Sequence, residues 1–174
     1  MIPKRIRSVL SWAPVFVAVC DFGSIRKVSG YSMQPTLNGD LGNGADFVAL
    51  EKLSGRFGWR DPERGDVFTL RHPRDPKKII VKRLIAIQGD IVQGVDSAEA
   101  HRIPEGHGWF EGDNLRKSSD SNSFGPVSLG LVEGRVLAIV WPWHRATGLG
   151  NEENPAYEDR IIYRCRKNSK ASKG

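Results

Sequence analysis

Ile79-Ile80-Val81-Lys82-Arg83-Leu84-Ile85-Ala86-Ile87 is the stretch that decides the fold. A β-branched run of this kind reads as a strand. With a side-chain period of two, Ile80, Lys82, Leu84 and Ala86 share one face, and Ile79, Val81, Arg83, Ile85 and Ile87 the other. Both faces are apolar and each carries one cation. Arginine stays protonated and can snorkel to water. Lysine in an apolar site gives up its proton readily, and the neutral amine is a general base. The plainer alternative is an edge strand with both charges in solvent.

Outward from this strand the chain keeps the same character. Phe47-Val48-Ala49-Leu50, Val67-Phe68-Thr69-Leu70, Trp109-Phe110-Glu111 and Val136 to Trp141 are further short β-branched or aromatic runs. Gly-Asp pairs punctuate them at Gly65-Asp66, Gly89-Asp90 and Gly112-Asp113. Nineteen glycines and ten prolines in 174 residues favour turns between short strands over long helices. The expected fold is mostly β, a small, partly closed antiparallel assembly occupying residues 27–145. Residues 146–174 read as a polar loop and a basic, frayed tail.

Charge and cysteine content exclude several classes. Cys20 and Cys165 are too few for a disulfide scaffold or a four-cysteine zinc site. The net charge of +6 sits at the ends: residues 1–7 and 160–174 hold nine cations and no acid, leaving 17 bases against 20 acids in between. A basic face for nucleic acid is therefore not expected. The ends fit an anionic lipid surface or a solvated tail instead.

Residues 1–26 form a basic start followed by Val9-Leu10-Ser11-Trp12-Ala13-Pro14-Val15-Phe16-Val17-Ala18-Val19-Cys20. A spanning helix needs about 20 residues, so a membrane anchor would run from roughly Ser8 to Ile25, with Asp21 near one interface. A cleaved signal peptide, with Ala18-Val19-Cys20 as its small-residue site, and a buried or interfacial helix are the alternatives. An anchor flanked by Lys4, Arg5 and Arg7 leaves the N-terminus on the side of synthesis and sends the body across.

Two polar segments carry candidate chemistry. Gly30-Tyr31-Ser32-Met33-Gln34-Pro35-Thr36-Leu37 places a serine between a glycine and a proline, a turn that can raise the hydroxyl and offer an amide to an oxyanion. Any surface loop could read the same way. Gly112-Asp113-Asn114 and Ser118-Ser119-Asp120-Ser121-Asn122-Ser123 read either as a polar loop or as a segment whose Ser118 or Asp120 orients a base. His72, His101, His107 and His144 lie in loop or turn contexts without metal-ligand spacing, and read as solvated. A serine–lysine pair needs no histidine.

Together these segments resemble the type I signal peptidases, the membrane-anchored Ser–Lys endopeptidases, over roughly residues 5–143. Gly30-x-Ser32-Met33-x-Pro35-Thr36-Leu37 is similar to the family's nucleophile box, Arg64-Gly65-Asp66-Val67-Phe68 to its second, Lys82 to Asp90 to its lysine box, and Gly112-Asp113-Asn114 with Ser118-x-Asp120-Ser121 to its last. The resemblance implies Ser32 as nucleophile and Lys82 as base, supported by Ser118, Asp120, Gly30, Met33 and Pro35, with no metal or cofactor. Gly30 where bacterial members usually have serine, Asn122 where they have arginine, and the lack of room for their longer β insertion point to the mitochondrial inner membrane protease branch, and the stretch from Asp120 to Leu131 most resembles its subunit-2 type. That branch implies removal of sorting or signal peptides from precursor proteins at the mitochondrial inner membrane. It also implies a single-pass anchor, a body facing the intermembrane space and a homologous catalytic subunit as partner. Two rivals remain. A self-cleaving repressor-type protease would need a DNA-binding domain, which the apolar residues before Ser32 cannot hold. A non-catalytic, membrane-tethered β domain that binds a partner is the other.

Overall fold

The computed structural model of the chain describes residues 23–39, 45–52, 61–95, 99–150 and 160–165. The expectation of a mostly β, antiparallel chain holds. The larger sheet runs in the order β1 (Gly23–Lys27), β2 (Phe47–Glu51), β9 (Val132–Trp141), β3 (Val67–His72), β4 (Asp75–Ile87), β7 (His107–Glu111), β8 (Val127–Ser128), with β10 (Thr147–Gly148) paired to β9. Its two end strands do not meet, so the sheet does not close into a barrel. A second sheet joins β5 (Ile91–Gln93), β6 (Ala100–Arg102) and β11 (Ile161–Tyr163). One helical turn, α1 (Ser121–Phe124), and short 3-10 turns complete the described elements.

β4 is an interior strand, bonded to β3 on one side and β7 on the other. The edge-strand alternative for Lys82 and Arg83 is therefore wrong. Its first residues, Asp75 to Lys78, are exposed, and everything from Lys82 onward is buried. The strict alternation holds through Leu84, which packs with Phe68, Leu70, Phe110 and Val127, with Ile80 against them. It then fails. A register shift opposite β7 between Leu84 and Ala86 moves Ile87 into Leu84's cluster, while Ile85 and Ala86 both join Val92, Ile103 and Trp109. A bulge of this sort inserts one residue and turns the pattern over. A third cluster packs Val28, Met33, Leu37, Val48, Leu50, Val67, Val136 and Ile139, with Val81 against it.

The anchor expected over 1–26 lies outside the described residues up to Phe22. From Gly23 the chain is strand β1, paired residue by residue with β2, so a span reaching Ile25 is not what forms there. Among the described residues no helix is long and apolar enough to cross a membrane.

Residues 160–165 are not a frayed end. Ile161–Tyr163 pair with β5. Arg160 meets Glu111, whose side chain is fully buried and also accepts from Trp109 Nε1 at 2.7 Å. The Cys165 backbone N–H donates to Asp90 Oδ1 at 2.7 Å, and its carbonyl accepts from Arg64. Glu111 without Arg160 would be a buried charge with one neutral partner left. Arg160→Ala, or removal of residues 160–174, is expected to lower the unfolding free energy by about 2–3 kcal/mol, read from urea denaturation at pH 7. An unchanged midpoint would show that Glu111 does not depend on the arginine.

Candidate active site

The turn at Ser32 is built by its neighbours. Met33 and Leu37 are apolar, one helical turn apart, and both are buried; the Leu37 N–H donates to the Met33 carbonyl at 2.8 Å. These two anchors leave Ser32 between them and the surface, partly exposed. Gly30 enters the turn at φ 97°, a left-handed value that favours glycine. Asn38 leaves it at φ 55°, and asparagine tolerates that region. The Asn38 side-chain amide donates to the carbonyls of Val28 at 3.2 Å and Gly30 at 3.0 Å, tying exit to entry. Asn38 and Asp46 then exchange two bonds, Asn38 N–H to Asp46 Oδ2 at 2.7 Å and Asp46 N–H to Asn38 Oδ1 at 2.8 Å. Arg145 grips the same Asp46 carboxylate at 3.0 and 3.1 Å and reaches the Thr36 carbonyl at 3.1 Å. Pro35 is exposed and does not line the cleft that holds Ser32.

Lys82 comes from the interior of β4, opposite Phe68 of β3, and is 2% exposed. Its Nζ donates to Ser118 Oγ at 3.0 Å. Ser118 Oγ donates in turn to Asp120 Oδ2 through a short bond. The same oxygen accepts the Gly112 N–H at 3.0 Å, and Asp120 Oδ1 accepts from the Asn122 backbone and side-chain amides at 3.1 and 2.9 Å. Asp120 thereby caps α1 while holding Ser118. Burial pulls the Lys82 amine down from 10.5 to about 8; Asp120 and Asp113 pull it back up, and Lys78 adds to the fall.

Ser32 and Lys82 line one cleft of about 450 Å³, between Arg26–Met33 and Lys78–Lys82. Gly112 explains how the two halves approach. A Cβ at this position would collide with the Ser32 carbonyl oxygen and with Ser118 Oγ. The Asn114 N–H, two residues on, donates to that Ser32 carbonyl at 3.0 Å.

Of the residues singled out in the sequence, the structure brings Ser32, Lys82, Ser118 and Asp120 to one place, with Gly30 and Met33 shaping the turn. None of the four histidines hydrogen-bonds Ser32 or Lys82. His72 lines the cleft but meets Phe124 edge-to-face, ring centroids 5.4 Å apart, and His101 stacks on Trp109. Arg83, expected to snorkel, is instead 5% exposed. It holds Asp113 in a two-pronged bond at 2.8 and 2.7 Å and the Gly65 carbonyl at 2.8 Å. Asn38, Asp46 and Arg145 carried no local signal beyond the turn-forming asparagine, because their partners are distant in sequence.

A model of the signal peptidase family, peptidase S26, matches residues 5–98 and 93–141. This chain belongs to the signal peptidase family. It is a serine endopeptidase of that family, which sets aside the non-catalytic reading. Mitochondrial inner membrane protease subunit 2 of Danio rerio is 43% identical over 137 residues, covering 76% of this chain and 74% of that protein. The subunit 2 of Saccharomyces cerevisiae is 39% identical, covering 76% and 77%. Subunit 1 of Schizosaccharomyces pombe is 43% identical over 121 residues, covering 68% and 73%. A crystal structure of a signal peptidase I from Enterococcus faecalis V583 is 24% identical with a TM-score of 0.38, over 45% of this chain and 97% of that one.

The depressed Lys82 pKa has a stability consequence. A folded value near 8 against 10.5 means that the cost of holding a charged amine is fully felt below about pH 8 and is gone above 10.5. The size is about 3 kcal/mol. Lys82→Met should therefore be more stable than the wild-type peptidase at pH 7, with the gap narrowing between pH 8 and 10. Denaturant midpoints across that range check it, and a pH-independent gap would contradict it.

Proposed function

We propose that this signal peptidase family member cleaves with a Ser32–Lys82 dyad. The observation that carries this reading is Lys82. It is a lysine buried in the wall of the Ser32 cleft, held by Ser118 and Asp120, with a pKa of about 8. Neutral Lys82 accepts the Ser32 proton as Oγ attacks the scissile carbonyl. The resulting lysinium returns that proton to the leaving amine, and the peptide bond breaks to give an acyl ester on Ser32. Lys82, neutral again, deprotonates the water that hydrolyses the ester. The Ser32 backbone N–H is the first oxyanion donor. Gly30 supplies no hydroxyl as a second.

The relatives' names support the setting. The substrates in this reading are precursor proteins whose sorting or signal peptides are removed at the mitochondrial inner membrane. The residues before β1 carry a single-pass anchor, the catalytic sheet faces the intermembrane space, and a homologous subunit is the partner.

The test is a precursor-processing assay on the full chain, with and without that partner. Ser32→Ala should abolish cleavage. Lys82→Arg should lower kcat/KM by about a thousandfold or more, because arginine keeps the charge but cannot release its proton. In the wild type kcat/KM should rise with pH through about 8, as Lys82 becomes free base. Substantial activity in Lys82→Arg would remove Lys82 from the role of base. Asp120→Ala should cost about tenfold to hundredfold, since it frees Ser118 but removes no reacting group; wild-type turnover at equal folded amount would remove Asp120 from the site.

A further inference from the structure

The cleft has a sign. Arg26, Lys27, Lys78 and Lys117 line it beside Lys82, and among the described residues no carboxylate does. Arg26 is engaged with Glu133 at 3.5 Å, and Lys117 sits over the Tyr31 ring at 5.5 Å. Lys27 and Lys78 are exposed and make no ion pair among the described residues. They stand on opposite walls, Lys27 on β1 and Lys78 on β4.

Lys78 precedes Lys82 by four residues on β4, and both line the cleft. At about 3.3 Å per residue the separation is about 13 Å. An extended peptide whose scissile carbonyl lies at Ser32 covers that distance in about four residues. We propose that Lys27 and Lys78 select substrates bearing an aspartate or glutamate about four residues from the scissile bond. This rests on Ser32 being the nucleophile. An anionic lipid headgroup could also meet lysines, but these two stand inside the cleft that must admit the peptide. The peptide carboxylate is the occupant that fits there without blocking the reaction.

The experiment uses the full chain, with its partner subunit if cleavage requires one, and quenched-fluorescent peptides spanning a site that it cleaves. A single Asp or Asn is placed at each position in turn on both sides of the bond. At one position about four residues away, Asp should exceed Asn in kcat/KM by about fivefold, the scale of one exposed ion pair. The ratio should shrink as salt rises. In Lys27→Gln/Lys78→Gln the ratio should fall to about one. In Lys78→Glu a lysine at that position should be preferred instead. Taking Asp over Asn on the same variant cancels the effect that Lys78 has on Lys82. The proposal is overturned if peptides are cleaved with no preferred Asp position, or if the preference survives both substitutions. It is also overturned if anionic phosphatidylglycerol vesicles stimulate all peptides equally and that stimulation is what the lysines control. Undiminished cleavage by Ser32→Ala would instead strike at the dyad itself, a separate and distinguishable failure.

Discussion

Everything at this site depends on an ammonium buried in the middle of a sheet. Among the described residues, five buried acidic side chains besides Asp120 each meet an arginine: Asp46 with Arg145, Asp66 with Arg135, Asp90 with Arg64, Glu111 with Arg160 and Asp113 with Arg83. Asp120 is the exception. It faces Lys82 through the Ser118 hydroxyl and takes its remaining bonds from Gly112 and Asn122 amides. The difference is one of protonation. An arginine is protonated at every relevant pH, so its pair is a fixed joint. A lysine in direct contact with a carboxylate would also be held charged. With a hydroxyl interposed, burial outweighs the attraction of Asp120, and the amine falls to about 8.

The fixed joints lie between the segments that carry the chemistry. Arg64, beside the Gly65-Asp66 turn, binds Asp90 of the Gly89-Asp90 turn at 2.9 and 2.6 Å. Arg83, next to Lys82, binds Asp113 of the loop that leads to Ser118. Arg145 ties the end of the Ser32 turn to the segment after β9. Partly buried pairs of this kind add little net stability, because desolvation offsets much of the attraction. Breaking one leaves an uncompensated charge, so their effect is to permit only one arrangement of the joined segments. For the position of Ser32 relative to Lys82, that restriction matters more than the free energy.

The strands were legible from the sequence because alternation and β-branching are local, and β2, β3, β4, β7 and β9 each contain one of the runs read there. Ser32, Lys82, Ser118 and Asp120 were legible because each lies in a short motif with fixed spacing. What was hidden depends on distance in the chain. Asp46 and Arg145 are 99 residues apart, and Glu111 and Arg160 are 49 apart. Neither sequence position announces its partner. Residues 160–165 looked dispensable because their charge was visible and the acids they meet were not. The bulge after Leu84 was hidden for a related reason: it arises where β4 must satisfy β7, not from β4 alone.

The loop from Gly112 to Asp120 holds both Ser32 and Lys82 at once. Its Asn114 N–H holds the Ser32 carbonyl, its Ser118 hydroxyl holds Lys82 Nζ, and its Gly112 N–H holds the carboxylate that orients Ser118. Gly112 permits this because nothing larger than hydrogen fits between the Ser32 carbonyl and Ser118 Oγ. A displacement of the loop would therefore carry the hydrogen-bond partner of Lys82 and the backbone of Ser32 together. The loop is itself tied at Asp113 to Arg83, the neighbour of Lys82 on β4, and just before Gly112 at Glu111 to Arg160. The relative position of Ser32 and Lys82 is thus set by a short closed circuit from β4, through the loop, to the turn and back. It does not rest on the long path of chain between the two residues.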